Sequence, residues 1–136
     1  MFSLKIMFHI NFNVGQCTTL EARLCTASIY NLCSAKQADV FQRLLNVDKI
    51  SITPCNIRTI SNNFVKTFEK ITVPIILFST TGRKIKEQVT FHIIATCEHI
   101  LLGYPFIFNG PKAILSHHGL TRHNGKIIKV HCTPNP

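Results

Sequence analysis

Two aspartates, seven histidines and six cysteines supply most of the groups in this chain that can move a proton, attack a carbonyl or hold a metal. Hydrolysis by paired carboxylates needs one group to take a proton from water while the other gives one to the substrate carbonyl, and only a shared site splits their pKa values in that way. Asp39 falls in a segment with a helical pattern and Asp48 in the connector after it, so both read as ordinary solvated carboxylates. Cys25 stands in the run Leu24-Cys25-Thr26-Ala27-Ser28. As a thiolate it would attack a carbonyl with His9 or His92 as base, although no spacing selects either histidine. The cysteines at 17, 25, 33, 55, 97 and 132 include no Cys-x-x-Cys pair. His117, His118, His123, His131 and Cys132 form the one stretch rich in ligand types, but without the two tight pairs of a structural zinc site. The expectation is therefore no metal, no cofactor, and cysteines that are reduced and buried.

The elements that must position these groups read mostly as strand. Phe8, Ile10, Phe12 and Val14 alternate with polar residues, Gly15-Gln16 permits a turn, and Cys17 to Leu24 returns as the second arm of a hairpin. Ser34 to Leu45 is the persuasive helix of the first half, with Ser34 as its cap and an apolar stripe of Ala38, Phe41, Leu44 and Leu45. Val47 to Pro54 reads as an extended link. Ile57 to Ile60 and Phe64 onward read as the arms of a hairpin around Ser61-Asn62-Asn63. Pro74 implies an edge or an unpaired position in its strand. Ser79 to Arg83 is turn material, and Glu87 to Ile94 is a strand that buries Val89, Phe91 and Ile93. Two final strands, 113–116 and 126–130, are expected around the Asn124-Gly125 turn. The predicted core is Phe8, Ile10, Leu24, Phe41, Leu44, Ile71, Val73, Ile75, Val89, Phe91, Ile93, Leu101 and Leu102. No internal repeat or linker divides residues 1–136, so one domain is expected.

Composition excludes some classes. Hydrophobic residues make up 46% and charged residues 15%, which is not the make-up of a disordered tail. The net charge of +9 favours acidic partners, yet Arg58, Lys66, Lys70, Arg83, Lys84 and Lys86 and the later basic residues are scattered rather than run together. Nucleic acid is thus a weak expectation, carried by the prospect that Phe64, Phe68 and Tyr104 accompany Arg58, Lys66 and Lys70 on a surface; core packing is the competing role for those rings. The first ten residues are interrupted by Lys5 and His9, lack the ordered regions of a signal peptide and are too short to span a membrane. An intracellular protein with no membrane partner is expected.

Two segments carry a family resemblance. Leu24-Cys25-Thr26-Ala27-Ser28, within Ala22 to Cys33, and Ile100-Leu101-Leu102-Gly103-Tyr104-Pro105-Phe106 resemble the two signatures of retroviral and retrotransposon aspartic proteases. The resemblance covers about residues 6–130. It implies an all-β, retropepsin-like acid-protease barrel with a short helix, a flap from Arg58 to Lys70 bearing Arg58, Ser61, Asn62, Asn63 and Phe64 over a substrate groove, and a helical turn after Gly103. Leu101, Leu102 and Gly103 would be the supporting hydrophobic-Gly motif. It also implies a symmetric homodimer in which the Cys25 loops meet at the two-fold axis and strands near the termini join the protomers, with a monomer as the alternative.

Cys25 falls where the family has its catalytic aspartate, and Ala27 falls where it has glycine, which implies a loosened loop if the backbone there needs a glycine-specific conformation. Thr26 is retained; its hydroxyl would make either a local turn hydrogen bond or the network that ties two loops together. The flap tip lacks the family's glycines, so closure over a substrate is not implied. The function expected is a catalytically inactive domain for dimerisation or for binding a protein or peptide. The alternatives are a basic nucleic-acid-binding or protein-binding module of a mobile element or virus, and a cysteine-dependent peptidase using Cys25. The location expected is cytoplasmic or within a virus-like particle.

Overall fold

A computed structural model describes residues 4–13, 15–58, 63–95, 97–108, 114–116, 119–123, 127–131 and 133–134. The chain opens with a long antiparallel hairpin of β1 (Leu4–Asn13) and β2 (Gln16–Leu24), turning at Gly15, whose φ of 76° suits glycine. Alternation sends Ile6, Phe8 and Ile10 of β1 and Ala22 and Leu24 of β2 into the core. After the loop at Cys25 comes β3 (Asn31–Ser34), which feeds directly into α1 (Ala35–Leu45). The expected Ser34 cap is a full capping box: the Ser34 hydroxyl accepts from the Gln37 N–H at 3.1 Å, and the Gln37 side chain accepts from the Ser34 N–H at 2.7 Å. Ala38 and Phe41 are buried, while Leu44 and Leu45 pack half-buried against the core.

β4 (Lys49–Arg58) replaces the extended link expected at Val47 to Pro54. It pairs with the first part of β5 (Phe64–Phe78), and the register slips between Ser51 and Cys55. Pro54 lies in that slip, where its missing N–H interrupts no regular ladder. The second part of β5 pairs with β6 (Lys84–Ile94) through a turn closed by Ser79 and Arg83. Pro74 sits on β5 beyond its last β4 partner at Ile71 and before the single β1 contact at Ile76. One side of β5 is therefore unpaired at the proline, as its chemistry requires.

β7 (Ile100–Leu102) and α2 (Tyr104–Ile107) follow. The strand order β1-β2-β7-β3-β6-β5, with β5 touching β1 at the His9–Ile76 pair, closes a six-stranded barrel, so the all-β barrel expectation holds. β11 (Thr133–Pro134) pairs with β1 of its own chain. A separate sheet combines β8 (Ile114–Ser116), β9 (Gly119–His123) and β10 (Ile127–His131). Here the expectation of two strands needs correction, because β9 intervenes and pairs with both neighbours. Gly119 to His123 shows a single aliphatic residue, Leu120, and that residue is fully buried. Val14, Thr96, Asn124, Gly125, His117, His118 and Cys132 lie outside the described residues.

The barrel interior is filled by the predicted core residues, except that Leu44 and Leu101 are only half-buried. Phe41 of α1 and Phe91 of β6 stack with centroids 5.7 Å apart, which locks the helix over the barrel end. Phe91→Ala should destabilise the fold by about 3–5 kcal/mol in urea unfolding, since it removes a fully buried ring at that junction.

Candidate functional site

Cys25 leaves the end of β2, and the loop it begins returns to β3 through Ser28, Ile29 and Tyr30. β7 runs between the two strands, parallel to β2 with Leu24 opposite Leu102, and antiparallel to β3 with Leu32 opposite Leu101. The two segments that carry the family resemblance are thereby in direct contact. The Cys25 N–H donates to the Leu102 carbonyl at 3.0 Å, and the Ser28 N–H donates to the Cys25 carbonyl at 3.3 Å. The Tyr104 N–H then donates to the Ser28 carbonyl at 2.8 Å.

Gly103 makes this crossing possible. A Cβ at that position would stand 2.5 Å from the Tyr30 carbonyl oxygen and 2.6 Å from that of Ser28. Both obstacles are backbone atoms, so neither can swing away. The Gly103 N–H donates to Asn31 Oδ1 at 2.8 Å, and Asn31 Nδ2 donates to the Thr90 carbonyl at 3.2 Å. Buried Asn31 therefore joins β3, β6 and the end of β7, satisfying donors that burial would otherwise leave unpaired. The sequence reading did not single out Asn31. Its signal was a lone amide inside the otherwise apolar run Ile29-Tyr30-Asn31-Leu32-Cys33.

Within the loop, Cys25 is 7% exposed, whereas Thr26 and Ala27 are in solvent. Among the described non-glycine residues only Asn46 has a positive φ, so Ala27 adopts a backbone conformation open to any L-residue. The loosened loop expected from Ala27 is not what forms. The local turn bond offered to Thr26 is made instead by Ser28, whose hydroxyl donates to the Tyr30 carbonyl at 2.6 Å.

Leu32 and Leu101 alternate with core residues and so occupy the opposite sheet face, where Leu32 joins Ile57 and Ile94 in a second apolar cluster. Tyr30, Val65, Cys97 and Leu101 flank it. This cluster connects the Cys25 loop to the inner side of the β4–β5 hairpin. The buried Thr67 hydroxyl donates to the Ile93 carbonyl at 2.9 Å and ties the hairpin to β6. At the hairpin end, Arg58 and Phe64 are cross-strand partners and the guanidinium lies 5.0 Å from the ring centroid. Asn63 is exposed, and Ser61 and Asn62 lie outside the described residues.

The candidate bases are engaged elsewhere. His9 Nδ1 shares a 2.8 Å hydrogen bond with the Thr19 hydroxyl, and its ring meets Phe78 edge-on. His92 packs on Tyr30 at 4.6 Å, and its buried Nδ1 has no hydrogen-bond partner. Burial, with the Lys70 ammonium second, holds the His92 pKa below its ordinary 6.5. Together with Tyr30, Asn31, Glu87, Thr90 and Pro105, His92 lines a shallow cleft of about 280 Å³. Asp39 on α1 pairs with Lys49, and Asp48 is exposed in the connector.

Burial pushes the Cys33 thiol up to about 12, with Cys97 adding to the rise and Lys49 opposing it. The described cysteines are free; Cys25 and Cys33 are buried, Cys55 and Cys97 partly so, and Cys17 is exposed, contrary to the expectation of uniform burial. Among the described residues no group of three or more His, Cys, Asp or Glu is placed to hold a metal, and no helix is long and apolar enough to cross a membrane.

Comparison of the chain with protein-family models, curated proteins and solved structures returns no match.

Gly103→Ala should lower stability by more than about 2 kcal/mol in urea unfolding, because a methyl group against two fixed carbonyl oxygens forces the crossing apart. For His92, a folded-state pKa held below 6.5 means that the unfolded chain binds the extra proton first as pH falls. The stability that His92 contributes is full above 6.5 and is lost as pH drops through the depressed folded value. Unfolding midpoints of His92→Gln should accordingly fall less steeply on acidification below 6.5 than those of the parent protein.

Proposed function

We propose that the chain is a catalytically silent relative of the retroviral-type aspartic proteases, acting by self-association and by binding an extended peptide. The observation that carries this reading is the contact between the two signature segments: Cys25 bonded to Leu102, with Gly103 seated against the Ser28 and Tyr30 carbonyls. Those segments lie far apart in sequence, and the resemblance requires them to meet. The chemistry of the family does not follow, because the group at the loop start is a thiol. A thiol cannot share a proton and a water with a second copy of itself as two carboxylates do. Among the described residues no histidine hydrogen-bonds the Cys25 thiol: His9 bonds the Thr19 hydroxyl and meets Phe78, and His92 packs on Tyr30.

Binding does not depend on the lost carboxylate. The half-buried Tyr30, Val65 and Leu101, which pack over the buried Leu32, Ile57 and Ile94 between the loop and the hairpin, support a peptide-binding surface, since part of their apolar area stays open beside the β4–β5 strands. Self-association is supported at the loop tip. Thr26 is exposed, and among the described residues its hydroxyl makes no hydrogen bond within the chain, which leaves it available to a second copy. β11 already pairs with β1 inside the chain, so in this proposal the loops, rather than exchanged terminal strands, make the central contact.

Purified protein should cleave no peptide library from acidic to neutral pH, with or without pepstatin, and should sediment at twice its 15.4 kDa mass. In a Cys17→Ser background, a Thr26→Cys variant, with its thiol at the exposed loop tip, should be joined across the folded dimer by a short bifunctional thiol reagent. Cleavage that is abolished by Cys25→Ala would refute the silent assignment. A 15.4 kDa species persisting at high protein concentration would refute self-association.

A further inference from the structure

The outer side of the β4–β5 hairpin carries an arrangement that peptide binding on its inner side does not use. Side chains alternate along β5, so Phe64, Lys66 and Phe68 share one side while Val65 and buried Thr67 take the other. Both rings are in water: Phe64 is 63% and Phe68 56% exposed, so the core role open to them from sequence is not the one they take. Four residues of strand place them about 13 Å apart with the Lys66 ammonium between them. Arg58 stacks over Phe64 from the neighbouring strand. The nearest acidic residue in sequence, Glu69, has the opposite parity on β5.

We propose that this face binds single-stranded nucleic acid, with Phe64 and Phe68 stacking on bases and Arg58 and Lys66 meeting the phosphates. The alternation of ring and cation along one strand matches the alternation of base and phosphate along an extended nucleic-acid strand. An acidic peptide would satisfy the cations but leave two aromatic faces uncovered. A duplex would satisfy the cations but keeps its bases stacked on one another and unavailable to the rings. The net charge of +9 adds a general attraction for polyanions, which the aromatic pair converts into a preference for unpaired strands. Val65, which packs against the apolar cluster, takes the other side of this stretch of β5 from Phe64, Lys66 and Phe68, so the row stands or falls independently of the peptide-binding surface.

The test is fluorescence anisotropy of the full chain with three labelled probes of equal length and charge per strand: oligothymidine, the same strand made of abasic sites, and a duplex. Oligothymidine should bind tightest at low ionic strength. Phe64→Ala and Phe68→Ala should each weaken oligothymidine binding about 5-fold or more while leaving the abasic probe unchanged. Lys66→Gln should reduce the slope of log affinity against log salt by about 0.7 for the single strand. Lys84→Gln, an exposed charge on another strand, should leave the loss caused by the phenylalanine variants unmatched. All four positions are exposed, and unchanged circular dichroism checks that each variant is folded. Equal affinity for abasic and thymidine strands, tighter binding of the duplex, insensitivity to both phenylalanine changes, displacement by polyglutamate as effective as by oligothymidine, or no binding at low salt would each overturn the proposal.

Discussion

The approach of Gly103 to the carbonyls of Ser28 and Tyr30 is the constraint on which the rest of the barrel depends. β7 is only three residues long, yet among the described residues it is the strand that lies between β2 and β3 in the sheet. A strand so short has few ladder bonds of its own. Its position is held by what happens at its end, where the chain turns into α2 with no side chain in the way and with Asn31 accepting the Gly103 N–H. The same contact shapes the Cys25 loop from behind. The loop and the barrel wall thus share one close contact, which is possible only because position 103 carries no side chain.

A scaffold of this kind makes no demand for a carboxylate at Cys25. The hydrogen bonds at that position run through its backbone, and the side chain is almost wholly enclosed. A thiol is a small, weakly polar group that tolerates enclosure, whereas an isolated carboxylate there would have to be paired or protonated. In a single chain the cysteine is the less demanding occupant. The loop therefore keeps its backbone contacts without any acidic group at this position.

The β4–β5 hairpin divides its two sides between different tasks. Ile57 and Val65 face the second apolar cluster, and Thr67 spends its hydroxyl on the Ile93 carbonyl, so the inner side is anchored to the barrel. Phe64, Lys66 and Phe68 lie on the outer side, where both rings are largely exposed and the Arg58 guanidinium lies over Phe64. Anchoring on one side keeps the other side in a fixed register. That fixed spacing is what distinguishes a row of rings and cations from the same residues on a loose loop.

Much of this was legible in the residues themselves. Local patterns are set by neighbours, so the alternation in β1 and β6, the Ser34 cap and the stripe of α1, and the turn after Phe78 could all be read from sequence. β9 escaped because one buried leucine in five residues leaves no period, and β4 was cut short because Pro54 reads as a breaker unless a register slip accommodates it. The sequence by itself determined that the loop offers a thiol at Cys25 and no carboxylate, since residue identity settles which protons can be moved. Only the tertiary structure decided that Gly103 must be glycine, that Asn31 holds three strands together, and that Phe64 and Phe68 stay in water. Each of these depends on atoms brought together from distant parts of the chain, where no spacing along the sequence can report the distance between them.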